Sequence, residues 1–486
     1  MASLAIAGGT PVRTDPYPPW PEVGDEEVEA VADLGPRWVR VGAHRRPAGD
    51  RERCHVRSAP SGSGATVRRM GAGLDLSAVL ATPIDGATVG FPAGASTTVG
   101  EVAAQGWTRV DLPLPSLTLR ASAIAHDVAR MAAYCVAEDV DLAPHGKTSM
   151  APQLWARQLD AGAWGITAAT VGQALAMRRV GVPRVLLASE PVDDVAIAGL
   201  RTSLEDPPPA IVCWVDSVAG VARLDAGLRG GPRPLDVMVE VGHPGGRTGA
   251  RGTDAALDVA RAAAATPTLR LVGVAGYEGT ITHDRDRASL AAVDAFLAGL
   301  RAVTARGLDE GLFAAPPLVS AGGSLYFDRV VAGLRDGWPP EAGVRVLLRA
   351  GCTVTHDHGL YARGSPFADG PPELRLRPAF EARGAVLSRP EPTVAVIGLG
   401  ARDVPDDIEP PIALATDAGE DLRARCTVRR LMDQHAICEV PGDLPLAVGD
   451  VVRFGISHPC RAFDRRRVIA VLDDDDRVVD AIVTWF

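Results

Sequence analysis

The stretch Leu142-Ala143-Pro144-His145-Gly146-Lys147-Thr148 joins an apolar run to a turn and a lysine. Residues 139–143 have the pattern of a short strand, and Pro144-His145-Gly146 then turns the chain sharply. Lys147 is the only lysine among 486 residues, and every other member of the Lys+Arg total of 50 is arginine. A composition that uses arginine wherever a positive charge suffices marks its one lysine for work arginine cannot do. Arginine stays protonated, whereas lysine can lose its proton and act as an amine nucleophile that forms Schiff bases. The position just past the C-terminal end of a strand is where α/β barrels carry their reacting groups.

Further apolar runs occur at 164–169, 184–188, 210–215, 235–241, 269–275, 317–321 and 344–349. Helical stretches at 152–161, 171–180, 217–228, 253–265 and 287–306 separate most of them. With 139–143 this makes eight buried strand candidates. They predict a (β/α)8 TIM barrel, with a doubly wound open sheet as the alternative. Upstream, residues 111–120 are strand-like and lead into a helix over 121–137. Beyond about residue 370 the helices give way to segments 376–388, 393–400, 425–440, 449–455, 466–473 and 478–486. These are β-branched or alternating between Gly, Pro and Asp turns and predict a C-terminal β domain. The expected division is 86–370 for the barrel, 371–486 for the β domain and 1–85 as an atypical segment.

A chain of 486 residues exceeds one ordinary core. The net charge of −10 argues against a general nucleic-acid binder, which needs basic grooves. No run of eighteen or more apolar residues is found, so no membrane span is expected. The first twenty residues lack a basic segment followed by an apolar core, so no secretory leader is expected. Seven irregularly spaced cysteines suit reduced thiols in a cytoplasm better than a disulfide framework. Residues 36–72, rich in Arg, Gly, Ser and Pro, read as linker or as translated sequence not selected to fold. Residues 1–35, with Ala7-Gly8-Gly9-Thr10-Pro11-Val12 and Pro18-Pro19-Trp20-Pro21, resemble the opening of a DegT/StrS-type sugar aminotransferase without its catalytic machinery.

Six motifs lie in order over residues 110–486: Pro144-His145-Gly146-Lys147-Thr148, Gly162-Ala163-Trp164-Gly165-Ile166-Thr167, Gly246-Arg247-Thr248-Gly249, Gly276-Tyr277-Glu278-Gly279, Ala321-Gly322-Gly323-Ser324 and Ser457-His458-Pro459-Cys460. Together they resemble the fold-type III pyridoxal-phosphate enzymes, the alanine-racemase-like barrels. The likeness is to the branch of D-serine dehydratases, D-threonine aldolases and amino-acid deaminases. The resemblance implies Lys147 as the Schiff-base lysine and catalytic base, with His145 positioning the cofactor. It implies that Arg247 and Tyr277 face the cofactor ring. Gly322, Gly323, Ser324, Gly351 and Cys352, after the seventh and eighth strands, form the expected phosphate cup.

His458 and Cys460 offer an imidazole and a thiolate, the donor types zinc prefers, and the family's metal ligands lie in this region. Dehydratases resemble His-x-Cys here and the aldolases His-x-Asp, so Cys460 favours dehydration. The expected reaction is elimination of water from a D-configured β-hydroxy amino acid to a 2-oxo acid and ammonia. It uses pyridoxal phosphate and zinc or another divalent metal. Retro-aldol cleavage to glycine and an aldehyde is the alternative, followed by racemisation or a non-catalytic carrier. His356 and His358 form a second H-x-H pair with a rim role, and His435 is a further candidate for the site. Asp473-Asp474-Asp475-Asp476 reads as a solvated turn. A homodimer acting on a small amino acid is implied, with no nucleic-acid or membrane partner.

Overall fold

The computed structural model describes residues 73–205 and 211–486, and the expectations for residues 1–72 lie outside this range. The eight expected strands are present as β1 (Asp141–Leu142), β2 (Ile166–Ala168), β3 (Val185–Leu187), β4 (Ile211–Val215), β5 (Leu235–Gly242), β6 (Leu269–Gly276), β7 (Leu318–Ala321) and β8 (Arg345–Leu348). They pair in parallel in the order β1-β8-β7-β6-β5-β4-β3-β2. At the seam, the Trp164 N–H donates to the Leu142 carbonyl (2.7 Å) and the Thr167 N–H to that of Pro144 (2.9 Å). A parallel bridge joins His145 and Thr167. The sheet is thereby curled into an alanine-racemase-like barrel.

The strands read as continuous apolar runs because both of their faces are covered. In β4, Val212 and Trp214 join Leu186, Met238, Val272 and Leu347 inside the barrel. Ile211, Cys213 and Val215 point the other way, into the layer beneath the helices. Helix starts follow their capping residues. Thr170, Asp193, Ser217 and Asp286 each accept a backbone N–H from the first turn of the helix that follows. The helix Asp194–Ser203, absent from the sequence reading, is one of these. Arg287–Asp309 is long and apolar enough to cross a membrane, but its Val293, Phe296, Leu297, Leu300 and Val303 are buried in the barrel core.

The C-terminal region contributes eight strands to a β domain: β9 (Phe380–Glu391), β10 (Val394–Ile397), β11 (Ile412–Thr416), β12 (Thr427–Leu431), β13 (Ala436–Glu439), β14 (Val451–Gly455), β15 (Val468–Leu472) and β16 (Val478–Val483). The expected run 425–440 divides into the hairpin β12–β13, and β11 was not anticipated. The strand Ser116–Arg120 belongs to this domain although it precedes the barrel. It pairs antiparallel with β9 and parallel with β15. Residues 77–85, grouped with the atypical segment from sequence, form a helical turn and a strand. Val79 and Ile84 bury against Val468, Ala470 and Leu472 of β15, which accounts for their apolar character.

Candidate active site

The turn after β1 is shaped by close packing. A Cβ at Gly146 would come within 2.5 Å of Ile166 Cγ2 and 2.6 Å of Met177 Cε. Trp155 Nε1–H donates to the Gly146 carbonyl (3.3 Å). Only glycine lets the chain pass here, and the passage delivers Lys147 to a cavity of about 470 Å³ at the C-terminal mouth of the barrel. His145, Arg247, Tyr277, Gly323, Ser324, Gly351, Cys352, His458 and Cys460 share that cavity. Of the sequence-predicted residues, Gly322 does not line it. A second cavity, about 430 Å³, opens near the starts of β1 and β8 and holds none of these groups.

His145 is half-buried in the cavity wall. Burial and the charges of Lys147, Arg349 and Arg247 hold its pKa well below the ordinary value, so the imidazole is neutral. Its Nδ1 is buried without a partner. A Cβ at Gly351 would lie 2.6 Å from His145 Cβ, so this glycine allows the two loops to meet. The Arg247 guanidinium lies 4.7 Å above the Tyr277 ring, which orients both. Burial first, and then Glu278, push the Tyr277 phenol up to about 12.

Three site features escaped the sequence reading. Arg349, at the end of β8, is buried and donates to Ser320 Oγ (2.7 Å) and the Gly276 carbonyl (2.5 Å). Its guanidinium stacks 4.9 Å from the Trp214 ring centre. A charged residue directly after the apolar Val346, Leu347 and Leu348 of β8 was the available signal. Glu278 takes up the amides expected to serve a phosphate: its carboxylate accepts the N–H groups of Gly322 (3.1 Å) and Gly323 (2.6 Å). Ser324 accepts the Cys352 N–H (3.1 Å), and its hydroxyl hydrogen remains available to an anion. Finally, Glu190, Asp216 and Glu240 converge with ligand atoms within 4.8 Å of one another. Burial and the adjoining Glu240 raise Glu190 to about 9, so one carboxyl of this pair holds a proton at neutral pH.

The far wall comes from the β domain and the turn after β8. Cys352 Sγ, Cys460 Sγ and a His458 nitrogen lie within 4.8 Å of one another. Thr148, next to Lys147, places its hydroxyl 3.3 Å from Cys460 Sγ. The Cys460 thiol is drawn well below its ordinary pKa by the hydrogen bond from Cys352, against burial, with help from His458 and Thr148. Burial disfavours the His458 imidazolium, but Cys460 and Asp407 outweigh it and raise the pKa to about 9. Asp407 Oδ2 sits 2.7 Å from His458 Nδ1. This carboxylate fixes the ring through Nδ1 and leaves Nε2 free, an arrangement that steadies metal-bound histidines. Asp407→Asn is expected to weaken metal binding by about 10- to 100-fold, measured by competition with a chelator, with the cofactor still bound.

His283 also lines the cavity, whereas the other histidines named from sequence stand outside it. His356 is buried with φ +46°, and burial and His358 push its pKa down to about 3. His358 falls to about 4 through burial and two arginines. Between them, Asp357 Oδ1 accepts the N–H groups of Gly359, Tyr361 and Ala362 and starts a short helix. His435 is exposed in the β12–β13 turn and does not line the cavity. Asp473 accepts the N–H groups of Asp475 and Arg477, and Asp476 pairs with Arg109 and Arg120, as befits a surface turn.

An amine, two arginines, a neutral imidazole and a hydroxyl around one cavity fit an anionic aldehyde cofactor such as pyridoxal phosphate. The imidazole and two thiols opposite fit a soft divalent metal.

The comparisons agree with this architecture. Residues 119–325 match the alanine racemase N-terminal domain, and residues 379–472 match a domain described as putative serine dehydratase. The chain is 28% identical to a D-threonine aldolase of Arthrobacter sp. over 368 residues, covering 75% of this chain and 90% of that one. It is 27% identical to a 3-hydroxy-D-aspartate aldolase of Paracoccus denitrificans over 357 residues, covering 73% and 87%. Its fold matches the crystal structure of a D-threonine aldolase from Filomicrobium marinum with a TM-score of 0.66 at 23% identity, covering 78% and 96%. A D-threo-3-hydroxyaspartate dehydratase from Delftia sp. HT23 gives a TM-score of 0.64 at 21% identity, covering 78% and 99%. With an alanine racemase N-terminal domain followed by a serine dehydratase-like domain, the chain belongs to the fold-type III pyridoxal-phosphate enzymes.

Proposed function

We propose that the protein is a pyridoxal-phosphate-dependent lyase of D-configured β-hydroxy amino acids that eliminates water to give a 2-oxo acid and ammonia. The observation that carries this reading is the adjacency of two kinds of chemistry. Lys147 reaches the cavity, while its neighbour Thr148 touches Cys460, so an amine and a set of metal donors line one cavity. A substrate whose Cα lies beside the amine then has its β-hydroxyl toward His458 and Cys460.

Bound pyridoxal phosphate would supply an electron sink that stabilises charge at the substrate Cα. Zinc or another divalent metal on His458 and Cys460 would supply a Lewis acid for the β-oxygen. The chain's own groups do the rest. The Lys147 amine takes the Cα proton. Arg247 and Arg349, each held against an aromatic ring, balance the negative charge of cofactor and substrate. His145 remains neutral and offers a hydrogen bond without adding a fourth positive charge. Asp407 keeps His458 directed at the metal.

Relatives named as aldolases support the substrate class, and Cys460 supports elimination over carbon–carbon cleavage. Solved variants of a D-threo-3-hydroxyaspartate dehydratase point the same way. One replaces a histidine, and another, described as the metal-free form, replaces a cysteine two positions later. A homodimer in the cytoplasm is part of the proposal; the six described cysteines are all free, as a reducing compartment requires.

The test is incubation of the protein, supplied with pyridoxal phosphate and zinc, with D-serine, D-threonine and D-phenylserine. Equal amounts of ammonia and 2-oxo acid are expected. Glycine with an aldehyde would replace elimination by retro-aldol cleavage.

A further inference from the structure

We infer that Cys352 is a third protein ligand to the metal, completing a His458–Cys460–Cys352 set; this rests on the reading of His458 and Cys460 as metal donors. Cys352 stands on the turn after β8, whereas Cys460 lies on a 3-10 turn of the β domain, 108 residues away. Their sulfurs are nevertheless 3.3 Å apart, and Cys352 is only 5% exposed. Zinc–sulfur bonds of about 2.3 Å at a tetrahedral angle place two sulfurs roughly 3.8 Å apart, so a shift of about half an ångström seats the ion. The His458 nitrogen completes a triangle whose edges are all within 4.8 Å.

Three protein ligands leave one tetrahedral position open, as catalytic zinc sites require. Two thiolates also select zinc over the harder magnesium or manganese. The Cys352 side chain faces this site, while its backbone N–H holds Ser324 on the cofactor side. One residue therefore links the cofactor loop to the metal, and the metal joins the barrel to the β domain.

The experiment strips the holoenzyme of metal and reloads it with cobalt(II), whose sulfur-to-metal charge-transfer band reports thiolate ligands. Zinc affinity is measured in parallel by chelator competition. Cys352→Ser and Cys352→Ala are expected to lose about half of the band that two thiolates give. Zinc should bind more than about 100-fold more weakly, beyond the usual cost of removing an outer partner. Retention of the visible cofactor band confirms that each variant is folded. An unchanged cobalt spectrum and zinc affinity in both variants would overturn the role of Cys352 and leave His458 and Cys460 as the ligands. A wild-type protein that binds neither ion would overturn both readings.

Discussion

Replacing Lys147 with alanine is expected to lower turnover by at least about 10⁴-fold, because one substitution removes both the cofactor's covalent anchor and the base for the Cα proton. The composition makes the test unusually clean. Lys147 is the only lysine in the chain, so borohydride reduction of the holoenzyme can fix the cofactor to one side chain alone. The expected product is a single labelled peptide containing residues 145–149. Lys147→Arg should fail as completely as the alanine variant, since a guanidinium keeps the charge but provides no free amine. Label incorporated into Lys147→Ala would sink the assignment. The residue is well placed for the role, with its turn closed by Gly146, Trp155 and Ile166.

The second large effect is expected at the metal site. Cys460→Ala, or removal of the metal from the wild type, should lower elimination by at least about 100-fold, equivalent to about 3 kcal/mol of barrier. The visible cofactor band should persist, because Lys147 is untouched. Unchanged turnover in metal-free protein would remove the Lewis-acid role. The pH dependence follows from the geometry. In the metal-free protein, Cys460 and Asp407 outweigh the cost of burial and hold His458 protonated up to about pH 9. A metal must displace that proton, so affinity should rise as pH rises toward about 9 and fall on acidification, with proton release on binding. Calorimetry in buffers of different ionisation enthalpy would count the released protons.

Much of this molecule is legible in one dimension. The eight barrel strands are buried on both faces, so each leaves a continuous apolar run such as Ile211–Val215 or Leu235–Gly242. Lys147 stands out by being alone. Periodicity and rarity are local properties, and the sequence by itself determines them.

Other features depend on which segments the fold brings together. Ser116–Arg120 has a strand pattern, but only pairing with β9 and β15 puts it in the C-terminal domain. Gly322 and Gly323 have the composition of an anion cup, yet Glu278, 44 residues earlier than the first of them, occupies their amides. Asp407 is one aspartate among many until it meets His458 across 51 residues. Cys352 was assigned to the phosphate loop by its position after β8; its sulfur points to Cys460 because the β domain packs over the barrel mouth. Side-chain direction between distant elements is set by that packing, which no local pattern encodes. The sequence alone therefore determined the barrel and its lysine, and the tertiary structure decided what that lysine faces.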